Sequence, residues 1–137
     1  MSPKLILIAD KDTADRNHLR NAFETVVKDD LKVVEFMDDN DLLNHMSDLN
    51  HRNRPSLIMM DMNMPEASGF KVLQTLRKNG KVQHVPVVMF SRNSEPHLID
   101  RAFDLGANHY VQKPDSTDEY VHIAHALNTL FLSPFPF

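Results

Sequence analysis

The sequence contains no cysteine, which excludes disulfide bonds, thiolate zinc sites and thiol nucleophiles together. No apolar run approaches the ~20 residues that a membrane-spanning helix needs. The stretch that follows Met1-Ser2-Pro3-Lys4 is apolar for only five residues, too short for the core of a signal peptide. A cytoplasmic protein is the expectation. A basic stripe is missing as well: the net charge is -4 and the pI near 6.0, which argues against a nucleic-acid-binding surface. The densest basic stretch, His51-Arg52-Asn53-Arg54, reads as a solvated helix end. There is no internal repeat, no low-complexity segment and no sign of a second domain. What remains is 42% hydrophobic and 25% charged, the make-up of a globular protein. A chain of 137 residues is long enough for one buried core. Residues 1–132 are expected to form it, with 133–137 as a short C-terminal tail.

Short apolar runs alternate with amphipathic segments. Leu5-Ile6-Leu7-Ile8-Ala9 is continuously apolar, as in a strand buried on both faces. Leu19, Ala22, Phe23, Val26 and Val27 share one helical stripe, capped by Asp12 or Thr13. Leu31 to Phe36 reads as a second strand, and Leu42, Leu43, Met46 and Leu49 mark a second helix. Pro55 opens a third strand, Leu57-Ile58-Met59-Met60, which ends on Asp61. A loop with Pro65 and Gly69 leads to a helix through Val72, Leu73 and Leu76. Val85 to Phe90 is the fourth strand; Ser94 is expected to cap the fourth helix and Gly106 to stop it. His109 to Gln112 is the fifth strand. Ser116 and Glu119 form a capping box for a last helix reaching about Leu132. Five strand–helix units in strict alternation predict an α/β fold, a parallel sheet with helices on both faces.

In such sheets ligands bind at the carboxyl ends of the strands. Strand one ends in Asp10, strand three in Asp61 and strand four in Ser91, while strand five leads into Lys113-Pro114. Singly, each reads as a turn former or helix cap. Together they place two carboxylates, a hydroxyl and an amine on one edge. That set suits phosphoryl transfer onto a carboxylate: a carboxylate nucleophile, a cationic clamp for the developing charge, and a hydroxyl donor to a phosphoryl oxygen.

The segment Leu57-Ile58-Met59-Met60-Asp61-Met62-Asn63-Met64-Pro65-Glu66-Ala67-Ser68-Gly69 resembles the phosphoacceptor loop of response-regulator receiver domains, the CheY-like superfamily. Met89-Phe90-Ser91 resembles their Ser/Thr switch position, and Gly106 through Pro114 their last strand with its Lys-Pro. The resemblance spans about residues 4 to 131. It implies a doubly wound, flavodoxin-like (βα)5 domain with strand order 2-1-3-4-5, an order for which the family is itself a type example. It also implies that Asp61 accepts a phosphoryl group from a sensor histidine kinase, such as a phytochrome-like one, or from a phosphotransfer protein. Mg²⁺ would be held by Asp10, Asp61 and the backbone carbonyl of Asn63. Lys113 would contact the phosphoryl group across a cis Lys113–Pro114 bond. Ser91 and Tyr110 would be the switch side chains, and helix four, strand five and helix five the output or homodimer surface. With no effector following the last helix, a stand-alone regulator signalling by protein contact is the expectation, not an enzyme.

Two positions depart from the family pattern. Receivers end strand one with two adjacent acids, whereas here the pair is Asp10-Lys11. Asp12 is better placed to cap the first helix than to replace the missing acid. Asp10 and Asp61 against Lys11 and Lys113 already sum to zero, so Mg²⁺ binding is expected to be weakened. Arg92, beside Ser91, stands where a small residue is usual; it either modulates the phosphoryl group or is a surface charge. An alternative reading is therefore a pseudo-receiver that binds partners without phosphate. A further alternative is a haloacid-dehalogenase-type phosphatase, since Asp10-Lys11-Asp12-Thr13-Ala14 approaches that family's first motif. Its Thr comes one place early, and the reading leaves the Asp61 loop unexplained.

Overall fold

The computed structural model describes residues 3–50, 53–63 and 68–132. His51, Arg52, the stretch Met64 to Ala67 that includes Pro65, and the tail 133–137 lie outside the described residues.

The chain folds as β1 (Lys4–Ala9), α1 (Thr13–Val26), β2 (Leu31–Phe36), α2 (Asp39–Ser47), β3 (Leu57–Met60), α3 (Gly69–Lys78), β4 (Val87–Ser91), α4 (Pro96–Asp104), β5 (His109–Gln112) and α5 (Thr117–Leu127). All strand pairs are parallel, in the order β2-β1-β3-β4-β5. The expected α/β class and strand order are thus observed. The centre of the sheet is buried on both faces because Ile6 to Ala9 of β1, all of β3 and Val87 to Phe90 of β4 are continuously apolar, whereas the edge strands β2 and β5 carry Lys32, Glu35, His109 and Gln112 and are partly exposed. Alternate residues of β1 serve opposite cores, Leu7 and Ala9 facing one and Ile6 and Ile8 the other. The first core takes in Leu42 and Met46 of α2, Leu73 and Leu76 of α3 and Ala102 of α4. The second takes in Leu19 and Phe23 of α1 and Ala124 and Leu127 of α5.

Local chemistry sets the element ends. Asp12 is the N-cap of α1, its carboxylate accepting from the Asp15 amide, and Ser116 caps α5 by accepting from the Glu119 amide at 3.2 Å. The expected Ser94 cap of α4 is not formed. Glu95 is the capping residue, without a side-chain bond, because Pro96 begins the helix with its fixed φ and no amide to satisfy. Gly106 ends α4 as expected, at φ +105°, a value costly for any residue with a Cβ. The last helix does reach Leu132, but Asn128–Leu132 is wound as a π-helical turn.

Arg77 of α3 ties the loops below the sheet. Its guanidinium donates to the carbonyls of Val82, Gln83, Val85 and Gly106 and to Asn108 Oδ1, at 2.8 to 3.4 Å.

Candidate functional site

Strand pairing brings the predicted residues to one edge. The Asp10 amide donates to Phe36 O and the Asp61 amide to Ala9 O, which sets the two aspartates side by side beyond β1 and β3. The Lys113 amide donates to Ser91 O at 2.9 Å, aligning β5 with the end of β4. Asp10, Asp61, Ser91 and Lys113 are all buried. The edge is closed from the α3 side by Gly69, whose amide donates to Met62 O at 2.7 Å. A Cβ on Gly69 would lie 2.7 Å from both Asp61 O and Met62 Cα, so only glycine lets α3 start this close to the aspartate's backbone.

Lys113 is the centre of the charge cluster. Its Nζ lies 2.6 Å from Asp10 Oδ2, 2.9 Å from Asp61 Oδ2 and 2.9 Å from Asp15 Oδ2. Burial works to lower the Lys113 pKa, but hydrogen bonds to Asp10, Asp15 and Asp61 outweigh it, and the ammonium is held charged. The second oxygens of the two strand-end aspartates are held by backbone amides: Asp12 N to Asp10 Oδ1 at 2.9 Å and Asn63 N to Asp61 Oδ1 at 3.1 Å. Burial raises the Asp10 carboxyl above its ordinary value, against the pull of Lys113 and the Asp12 amide. Arg16 steadies this loop by donating to the Asp10 carbonyl at 2.5 Å and to Thr13 Oγ1 at 3.1 Å.

Asp15 is a site residue that the sequence reading missed. It reads as an ordinary first-turn acid, three residues after the Asp12 cap, where a reciprocal capping partner is expected. Instead its side chain is 5% exposed and reaches Lys113. Arg92 grips it with both guanidinium nitrogens, Nη1 to Oδ2 at 2.7 Å and Nη2 to Oδ1 at 2.8 Å. Burial pushes the Asp15 carboxyl up, but the charged hydrogen bonds from Arg92 and Lys113 prevail and leave it lowered. The same bond raises the Arg92 pKa.

The charge count made from the sequence is therefore corrected. Three acids, Asp10, Asp15 and Asp61, face Lys113 and Arg92, because the phase of α1 turns Asp15 toward the sheet edge. Lys11 is exposed at the rim and pairs with no acid among the described residues. Arg92 is not a free surface charge, although its side chain is 62% exposed. Asp12 caps α1, as anticipated, and its side chain does not enter the cluster.

The expected switch residues lie on the far side of Asp61. Ser91 is completely buried and its Oγ accepts from the Asn93 amide at 3.2 Å. Tyr110 is buried, with its hydroxyl donating to Asn93 O and lying 3.9 Å from Met62 Sδ. Burial raises the Tyr110 pKa. The Lys113–Pro114 bond, expected cis, is trans, since no cis peptide occurs among the described residues. Trans is the lower-energy form of an X–Pro bond by about 0.5–1 kcal/mol, and the charge contacts of Lys113 are all made with it.

Asp10, Lys11, Asp12, Asp61, Asn63, Arg92 and Lys113 line an open cleft of about 110 Å³. Mg²⁺ keeps several waters and takes one or two protein carboxylates. Asp10 and Asp61 are the two candidate carboxylates, each with one oxygen on a backbone amide and the other on Lys113 Nζ, so an ion would share them with that ammonium, and Asn63 lines the same cleft. Asp15 adds no donor, since Arg92 and Lys113 occupy it, and no group of three or more acidic, His or Cys ligands is arranged for a metal among the described residues. Lys11 and Arg92 line the same cleft as the two carboxylates.

Residues 6–125 match the response regulator receiver domain family. The chemotaxis protein CheV2 of Helicobacter pylori is 30% identical over 112 residues, covering 82% of this chain and 35% of its own length. The response regulator Rcp1 of Synechocystis sp. is 22% identical over 138 residues, covering 95% of this chain and 90% of its own. Its Mn²⁺-bound crystal structure superposes with a TM-score of 0.85 at 20% identity, over 98% of this chain and 99% of that one. The phosphorylated cyanobacterial phytochrome response regulator RcpA gives a TM-score of 0.88 at 22% identity, over 98% of each chain.

Proposed function

We propose, from the premise that this chain belongs to the response regulator receiver family, that it is a stand-alone regulator accepting a phosphoryl group on Asp61. The observation that carries this reading is the grip of Lys113 on Asp61 at 2.9 Å inside an open cleft, at the carboxyl edge of a parallel sheet. Asp61 Oδ attacks phosphorus, and the bond from phosphorus to the donor's nitrogen, or to the acetate oxygen of acetyl phosphate, breaks with its electron pair leaving on the donor. Lys113 screens the charge that gathers on the phosphoryl oxygens. Mg²⁺, when bound by Asp10, Asp61 and the Asn63 carbonyl, would neutralise further negative charge there.

Ser91 and Tyr110 are the residues proposed to carry the signal, since both bond the Asn93 segment that follows β4. Their rearrangement would alter the surface of α4, β5 and α5, the proposed output or homodimer face. The donor is proposed to be a sensor histidine kinase or a phosphotransfer protein. The likeness to RcpA, a phytochrome response regulator, supports a phytochrome-like kinase. A cytoplasmic location suits such a partner, and no helix among the described residues is long and apolar enough to cross a membrane.

The test is intact mass after incubation with acetyl phosphate and Mg²⁺, beside an Asp61→Asn control. A gain of one phosphate that vanishes in the control is the expected result. No gain in the wild type with a gain in Lys11→Asp would instead make the protein a phosphate-independent pseudo-receiver.

A further inference from the structure

Lys113 is saturated. An ammonium has three N–H donors, and Asp10, Asp15 and Asp61 each offer it an oxygen within 2.9 Å. A phosphoryl group on Asp61 brings a dianion into a cleft that already holds two further carboxylates. For Lys113 to reach a phosphoryl oxygen, one of its three contacts must be given up. Asp10 is tethered through its other oxygen to the Asp12 amide, and Asp61 carries the new group. Asp15 is the contact that can go, because what fixes it from outside is a side chain rather than backbone.

That side chain is suited to a second task. Arg92 projects from the loop after β4 with its side chain 62% exposed, and it lines the same cleft as Asp61 and Lys113. Its planar fork, which now takes both Asp15 oxygens, fits two phosphoryl oxygens equally well. A dianion beside it would compete with a single carboxylate for the same donors.

Resting on the reading of Asp61 as the phosphoacceptor, we propose that Asp15 and Arg92 form a transferable clasp. In the unmodified site Arg92 holds Asp15 against Lys113; once Asp61 is phosphorylated, Arg92 leaves Asp15 for the phosphoryl oxygens and shields the acyl phosphate from water. Loss of the phosphate is hydrolysis: water oxygen attacks phosphorus, the bond from phosphorus to Asp61 Oδ breaks, its electron pair returns to the carboxylate, and the proton leaves with inorganic phosphate. Arg92 covers the approach that this water needs. Asp15 is a positioning residue, acting through Arg92 and Lys113.

The experiment follows formation and decay of the phosphorylated protein by intact mass, using acetyl phosphate that is then removed by gel filtration. Arg92→Ala is expected to lose phosphate at least fivefold faster than wild type, with Arg92→Lys in between, because an ammonium cannot bind two oxygens in one plane. Asp15→Asn frees Arg92 in advance and is expected to gain phosphate at least threefold faster. That gain is expected to vanish in the Asp15→Asn/Arg92→Ala pair. Side-chain ¹⁵N NMR of Arg92 gives a readout that needs no kinetics: slow guanidinium rotation in the unmodified protein, released in Asp15→Asn and restored on phosphorylation. Formation and decay rates that are equal in all variants would overturn the clasp while leaving the phosphoacceptor reading intact. Absence of phosphate from every variant would overturn both. Phosphorylation of Asp15→Asn but not of wild type would support the clasp as a full lock.

Discussion

Replacing Lys113 by methionine removes the cation on which three buried carboxylates converge. The Lys113 side chain is 2% exposed, and those of Asp10, Asp15 and Asp61 are 4%, 5% and 7% exposed, so water entering by the small cleft replaces the cation poorly. Asp15 keeps Arg92, whereas Asp10 and Asp61 keep only backbone amides. Breaking a buried pair by deleting one partner costs about 3–5 kcal/mol, chiefly from the charge left uncompensated. With a urea slope of about 1.5 kcal/mol per molar for a chain this small, the unfolding midpoint at neutral pH should fall by about 2–3 M. Methionine nearly conserves volume, so the loss reports charge rather than a cavity. A second replacement, Asp10→Asn in the same protein, removes one of the two stranded charges and should recover at least 1 kcal/mol, roughly the size of a neighbour coupling. The assay is urea unfolding followed by far-ultraviolet circular dichroism. A midpoint shift below about 0.5 M, or a double variant no more stable than the single, would refute the idea that Lys113 neutralises this cluster.

Arg77→Met should cost about 1.5–3 kcal/mol by leaving half-buried carbonyls below the sheet without their charged donor, read as a lower thermal midpoint. Gly69→Ala forces a Cβ to within 2.7 Å of Asp61 O and Met62 Cα, and should cost about 1–3 kcal/mol while disturbing the Asp61 amide resonance in a heteronuclear NMR spectrum. Asp15 has a carboxyl lowered from the ordinary 3.8, against the effect of its burial, by Arg92 and Lys113. Its stabilisation is thus fully present above that value and lost as pH falls through the lowered folded value. Asp15→Asn should therefore flatten the stability profile below about pH 4, as measured by urea unfolding at stepped pH. A variant profile parallel to wild type in that range would show that Asp15 titrates alike in the folded and unfolded chain.

Periodicity located five strands and five helices, because a central strand buried on both faces is apolar almost throughout, an edge strand such as β2 or β5 mixes apolar and polar residues, and a covering helix is apolar on one stripe only. Leu57 to Met60 is such a strand, and its length delivers Asp61 to the sheet edge without further information. Asp10 and Ser91 were legible for the same reason, each directly following an apolar run, and Lys113 because it follows the short fifth strand, since parallel strands end on the same side. Residues placed by side-chain reach were not legible. Ser94 and Glu95 both suit a helix start, and only the backbone at Pro96 chose between them. Asp15 looked like any first-turn acid, although it stands four residues before Leu19 on the apolar stripe that packs on the sheet, so its face was readable and its partners were not. Its approach to Lys113, 98 residues away, and to Arg92, 77 away, depends on how α1 packs on the sheet. The sequence by itself determined the architecture and the edge where chemistry collects, because both follow from local patterns of burial. Tertiary packing alone decided which charges meet there, because an ion pair between distant residues has no local signature.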